Sequence, residues 1–147
     1  MPIVKCPFTS GRPILPIRII NPHTGQAHRA AGLVDTGADE CAVPAYVASV
    51  IGHNLSAGGR KQIRTGNGLT TAFSHTTRLE IFHPITQQLL FTTADTVIDF
   101  LPNVNMILIG VKSLICYRGN GISGERQDVP RKRTPDKLSY MVKHRPV

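Results

Sequence analysis

Aromatic residues are scarce in this chain. It has no Trp, and Phe and Tyr together make up 5% of its 147 residues. A core drawn from this composition rests on Val, Ile, Leu and Ala rather than on rings. Cysteine is scarce as well. Cys6, Cys41 and Cys116 are odd in number, widely spaced and form no CxxC pair. Neither a disulfide framework nor a zinc site is expected from this pattern, and reduced thiols fit best. No apolar run approaches the roughly 20 residues that cross a bilayer. The segment Met1 to Pro7 lacks the apolar stretch of a signal peptide. A cytoplasmic location with no membrane partner is therefore expected.

Acidic residues are few, with 9 Asp and Glu against 17 Lys and Arg for a net charge of +8. The excess is uneven. Residues 1–116 hold 9 basic against 6 acidic side chains (+3), whereas residues 117–147 hold 8 against 3 (+5). Two parts are expected: a folded domain over residues 1–127 and a basic, flexible tail over 128–147, where Pro130, Pro135 and Pro146 sit among Arg and Lys. A run such as Arg131-Lys132-Arg133 is usually a solvated charge cluster. A nucleic-acid partner is not expected, although the basic tail leaves it open.

What is present reads as β structure. Ile14, Leu15, Ile17, Ile19 and Ile20 form a β-rich run before the turn signal Asn21-Pro22-His23-Thr24-Gly25, and Gln26 to Val34 returns as the partner strand. Pro44 and Gly52 bracket a short helix, and residues 54–60 read as a loop. Gln62 to Thr65 and Leu69 to Phe73 flank Gly66-Asn67-Gly68 as a hairpin. Its arms carry few apolar anchors, so it is expected to project and move. Thr76 to Phe82 and Leu89 to Ile98 are further extended segments. Asn105-Met106-Ile107-Leu108-Ile109-Gly110 reads as a short apolar strand that lacks alternation, which implies burial on both faces. A helix or turn at 111–115 and a last hairpin at Gly119-Asn120-Gly121 complete the reading.

The segment Leu33-Val34-Asp35-Thr36-Gly37-Ala38-Asp39 carries the chemistry. An apolar strand ends by presenting a carboxylate. Thr36 can hydrogen-bond locally, and Gly37 lets another backbone approach closely. Other hydrolytic schemes lack their parts. The six histidines show no HExxH spacing, no serine sits in a nucleophile elbow, and Cys41 has no evident base beside it. Without metal or a nucleophilic side chain, peptide hydrolysis needs one group to activate water and another to protonate the leaving nitrogen. Two carboxylates sharing one proton do both. The chain holds one Asp-Thr-Gly, so a symmetric homodimer has to supply the second.

This motif resembles the active site of retropepsin-like aspartic proteases. The surrounding order resembles it too: Arg12-Pro13 ahead of the first strand, Gly66-Asn67-Gly68 where the family has its flap, and Ile107-Leu108-Ile109-Gly110 behind the catalytic loop. The likeness spans about residues 12–118. It implies an all-β fold, a closed retropepsin-like barrel with one or two short helices and a flap hairpin. By that resemblance Asp35 and its copy are catalytic, with Thr36, Gly37 and Gly110 in support. Gly37, Asp39, Gly66, Asn67 and Gly68 meet an extended peptide or protein substrate, Arg12 pairs with Asp39 of the other copy, and neither metal nor cofactor takes part. One departure is Val111, with Lys112 following, where retroviral members often carry Arg. Two alternatives stand beside this reading. One is a catalytically inactive retropepsin-like module for peptide binding or dimerisation. The other is a basic nucleic-acid-binding protein.

Overall fold

The computed structural model describes residues 3–35, 37–38, 40–110, 116–118 and 139–143. Eleven strands and one short α-helix make up these segments. The expected first hairpin is there. β2 (Ile14–Ile20) pairs antiparallel with β3 (Ala27–Val34), from Ile14 opposite Leu33 to Ile20 opposite Ala27. The turn between them is held from inside. Asn21 is buried, its side chain donates to Ile51 O at 3.0 Å, and its Oδ1 accepts the His23 N–H at 2.9 Å. Gly25 takes φ +75°, a left-handed conformation that glycine adopts without a Cβ clash.

β4 (Ala42–Pro44) leads into α1 (Ala45–Val50), with Pro44 in the cap position and Gly52 at φ +80° just beyond the end. Val47 and Ala48 are the buried face of this helix. The loop expected over 54–60 is shorter than read. A single 3-10 turn at Leu55–Ala57 gives way to β5 (Gly59–Thr65), so Gly59 starts the strand.

Two segment boundaries also differ. β6 (Gly68–Phe82) is one strand of 15 residues where two were expected. It stays continuous because Ser74 and His75 pair with Asp99 and Ile98 of the next strand but one. Conversely, the stretch expected from Leu89 to Ile98 splits into β7 (Leu89–Thr92) and β8 (Thr96–Leu101). At the break the Thr93 hydroxyl accepts the Leu79 N–H, and exposed Asp95 pairs with Arg78 at 2.7 Å.

The sheet runs β2-β3-β9-β4-β8-β6, with β9 at Ile107–Ile109, and β6 pairs back onto β2 to close a six-stranded barrel. β5 and β7 hang from β6 outside the closed path. Alternation explains the closure: Leu15, Ile17 and Ile19 on β2 and Leu79 and Ile81 on β6 point inward and are fully buried, while Arg18 and Glu80, opposite each other, pair at 2.6 Å outside. The core is completed by Val43, Val47, Ile51, Phe100 and Ile109. Burial on both faces was expected of β9; Ile107 and Ile109 are buried and Leu108 is partly so. Among the described residues no helix is long and apolar enough to cross a membrane.

The C-terminal expectation changes at one point. Ser139–Lys143 forms β11, which pairs antiparallel with β1 (Ile3–Pro7) and with β10 (Cys116–Arg118). The segment read as a loose tail therefore contributes a strand. Its Tyr140-Met141-Val142 run favours extended structure despite the basic neighbours. The expected turn at 111–115, the hairpin at 119–121 and residues 119–138 lie outside the described residues.

Between α1 and the barrel, His53 and His75 stack with centroids 4.6 Å apart, both edge-on to Phe100. His53 Nε2 meets Thr77 Oγ1 at 3.2 Å, and His75 Nε2 donates to Leu55 O at 3.0 Å. Burial, with the neighbouring His75 and then His23, lowers the His53 pKa from 6.5. The folded state therefore prefers neutral His53, while the unfolded chain takes up a proton. Stability is complete above pH 6.5 and declines as pH falls below it towards the lowered folded value. Chemical denaturation at about pH 7.5 and about pH 5.5 should show a smaller acid loss for His53→Gln than for wild type; parallel losses would place the effect elsewhere. A second expectation concerns the turn. Asn21→Ala leaves a buried carbonyl and an N–H without partners, and should lower the unfolding free energy by about 1–3 kcal/mol in a urea titration.

Candidate active site

Asp35 is placed by the strand it ends. Val34 N–H donates to Pro13 O at 2.9 Å, and Asp35 N–H donates to Ile109 O at 3.0 Å. The first bond extends the antiparallel pairing of β3 with β2, and the second continues the parallel ladder in which Gly32, Leu33 and Val34 oppose Ile107, Leu108 and Ile109. β9 thus lies between β3 and β4, the two strands that the Asp35 loop connects. The loop turns back on itself. Gly37 N–H donates to Asp35 Oδ1 at 3.0 Å, and Ala38 N–H to Asp35 O at 3.2 Å.

Two glycines make this fit possible. A Cβ on Gly110 would lie 2.5 Å from the backbone carbon and oxygen of Glu40, so only glycine lets the end of β9 pass the loop. A Cβ on Gly32 would lie 2.7 Å from Ile109 Cδ1. Gly37 is exposed, and a Cβ there would come within 3.3 Å of Asp35 Oδ1.

The structure therefore brings Asp35, Gly37 and Gly110 together. Arg12 is close in the fold: it is exposed, bridges to Thr9 through its backbone, and precedes the Pro13 carbonyl that holds Val34. Thr36, Asp39, Val111 and Lys112 lie outside the described residues. Gly66 and Asn67 form the tip between β5 and β6, with Thr65 opposite Gly68, and Gly68 takes φ +105°. The tip is tied to the 102–106 loop, since Asn67 Nδ2 donates to Asn103 O at 3.0 Å.

The electrostatics single out one carboxylate. Glu80 pairs with Arg18, Asp95 with Arg78, and both Asp99 and Glu40 with Lys61. Among the described residues Asp35 is the acidic side chain with no cation beside it. Its partner in the loop is an N–H dipole. Among these residues no three His, Cys, Asp or Glu side chains cluster to hold a metal.

Lys61, Asp99 and Asn103 escaped the sequence reading. Lys61 Nζ sits 2.8 Å from Asp99 Oδ2 and 3.2 Å from Glu40 Oε2, so β5 is tied both to β8 and to the end of the Asp35 loop. Asp99 is buried and also accepts from Ser74 Oγ at 2.8 Å. Its hydrogen bond to Lys61, with that of Glu40, raises the Lys61 pKa against the opposing effect of burial. A signal for this pair existed: Asp99 interrupts the apolar run Ile98 to Leu101, and a buried charge needs a partner.

Lys61→Met would strand Asp99, and because Lys61 is itself part-exposed the expected loss is about 1–3 kcal/mol in a denaturant titration. Adding Asp99→Asn should recover part of that loss, and strictly additive losses would show that the two do not interact. Gly110→Ala should cost about 1–3 kcal/mol by overpacking the loop. No protein-family profile matches this chain, and no curated protein matches it.

Proposed function

We propose that this chain is an aspartic endopeptidase of the retropepsin-like kind, acting as a homodimer in which each copy contributes Asp35. The observation that carries the reading is the un-neutralised carboxylate at the end of an apolar strand. β9 is seated behind its loop, and the other described acidic side chains are committed to salt bridges. Within one chain no described carboxylate is spare to complete a dyad, so a second copy is the natural source.

In the proposed reaction two Asp35 carboxyls hold one proton between them, because like charges at close range do not both ionise. The ionised one takes a proton from water as the water oxygen bonds to the peptide carbonyl carbon. The protonated one gives its proton to the carbonyl oxygen. On collapse the C–N bond breaks, and a carboxyl proton passes to the leaving nitrogen. Thr36 would tie the two loops together. Gly37 and Asp39 would hold the peptide main chain as an extended strand, and Arg12 would pair with Asp39 of the partner subunit. The hairpin tip at Gly66, Asn67 and Gly68 would cover the peptide. A buried Cys6 thiol in a chain with an odd number of cysteines fits a reducing compartment such as the cytoplasm.

A mixed peptide library incubated with wild type and Asp35→Asn from about pH 4 to about pH 7 tests this reading. Wild type should cut, with a bell-shaped pH profile, and Asp35→Asn should lose about a thousandfold or more. Equal cutting by both proteins would remove Asp35 from the chemistry. A dimer that binds peptide without cutting it would leave a peptide-binding module.

A further inference from the structure

The β5–β6 hairpin is fastened at both ends, by different chemistry. At its root Lys61 lies between Asp99 and Glu40. At its tip the Thr65 hydroxyl is a hub. It donates to Gly68 O at 3.1 Å, accepts the Asn67 N–H at 3.2 Å and accepts Asn103 Nδ2 at 3.1 Å. Asn67 makes the reciprocal link, donating from Nδ2 to Asn103 O. Because the Thr65 proton goes to Gly68 O, Asn103 has to present its NH₂ to Thr65. That leaves Asn103 Oδ1 buried and without a hydrogen-bond partner among the described residues.

We propose that Thr65, Asn67 and Asn103 form a tip latch, and that the hairpin opens by releasing this latch while its Lys61 root stays fastened. Neutral amide and hydroxyl bonds contribute little net free energy, because water offers equivalent partners. The stranded Oδ1 loses its water when the latch closes and regains it on release. Latched and released states therefore lie close together. Apolar contact adds little at the tip, where Leu69 is 66% exposed and Gly66, Asn67 and Gly68 are all exposed. The root differs, since releasing Lys61 would leave the buried Asp99 without its cation. The hinge therefore belongs at the root and the catch at the tip. The 102–106 loop runs directly into β9, whose Ile109 carbonyl holds the Asp35 N–H, so the latch grips the segment that seats Asp35. That the latch gates a peptide cleft rests on the proposed function; the latch itself does not.

Amide hydrogen exchange of the full chain, with no peptide present, tests the latch. Asn67→Ala combined with Asn103→Ala severs both cross-links while leaving the ladder residues in place. Amides from Arg64 to Leu69 should exchange about tenfold faster, while those of β2 and β3 keep wild-type rates. Thr65→Ser, which retains the hydroxyl, should behave as wild type. Unchanged tip exchange in the double variant overturns the latch. So does an equal acceleration at Gly59 to Lys61, because the root would then not be held separately. Asn67→Ala alone sits on an exposed turn and leaves the barrel untouched, so its tip amides decide the matter if the double variant does not fold. With no substrate present, a wild type that fails to cut peptides would refute the Asp35 reading and leave this result standing.

Discussion

The passage of β9 between β3 and β4 is the constraint on which the rest of the structure depends. Parallel pairing to β3 brings the Ile109 carbonyl to the Asp35 N–H, and the end of β9 then presses against the backbone of Glu40. Only a residue without a Cβ can stand at Gly110 under that contact. The same strand, through its pairing to β4, carries the sheet on to β8 and so to the closing pair of β6 with β2. Barrel closure and the placing of Asp35 are therefore consequences of one packing event.

Charge is distributed so that the site stays distinct. Arg18, Arg78 and Lys61 neutralise the described carboxylates elsewhere, on the barrel seam, at a strand break and at the hairpin root. Among the described residues, what meets the Asp35 carboxylate is the Gly37 N–H dipole. Lys61 has a second part to play because it spans three elements that are distant in sequence: β5, β8 and the loop following Asp35. The hairpin is thus coupled to the site through its root by ions and through its tip by neutral hydrogen bonds. His53, stacked on His75, makes the barrel sensitive to acid, since burial and then the neighbouring imidazole lower its pKa and the folded state prefers it neutral.

Much of the architecture was legible in the residues. The first hairpin, the Pro44–Gly52 helix, the Gly66-Asn67 turn and the apolar β9 each follow from local signals: turn residues, caps and β-branched runs. Errors fell where a distant partner overrides a local cue. Ser74 and His75 fell between two expected strands but pair with Asp99 and Ile98, so β6 runs through them. Asp95 looked like part of a strand but is drawn outward by Arg78. Tyr140 to Val142 looked like tail because Pro and Arg surround them, yet β1 and β10 offer them a ladder.

The sequence by itself determined that the chain is mostly β, that its core is aliphatic and that Asp35 ends an apolar strand. These properties depend on composition and on neighbours a few residues away. Only the tertiary structure decided that Lys61 reaches Asp99 and Glu40, 38 and 21 positions away, and that Asn103 meets Thr65 across 38. It alone also decided that Gly110 stands against Glu40. A side chain's partner across the barrel is set by strand order and register, and neither quantity is written in any local window of residues.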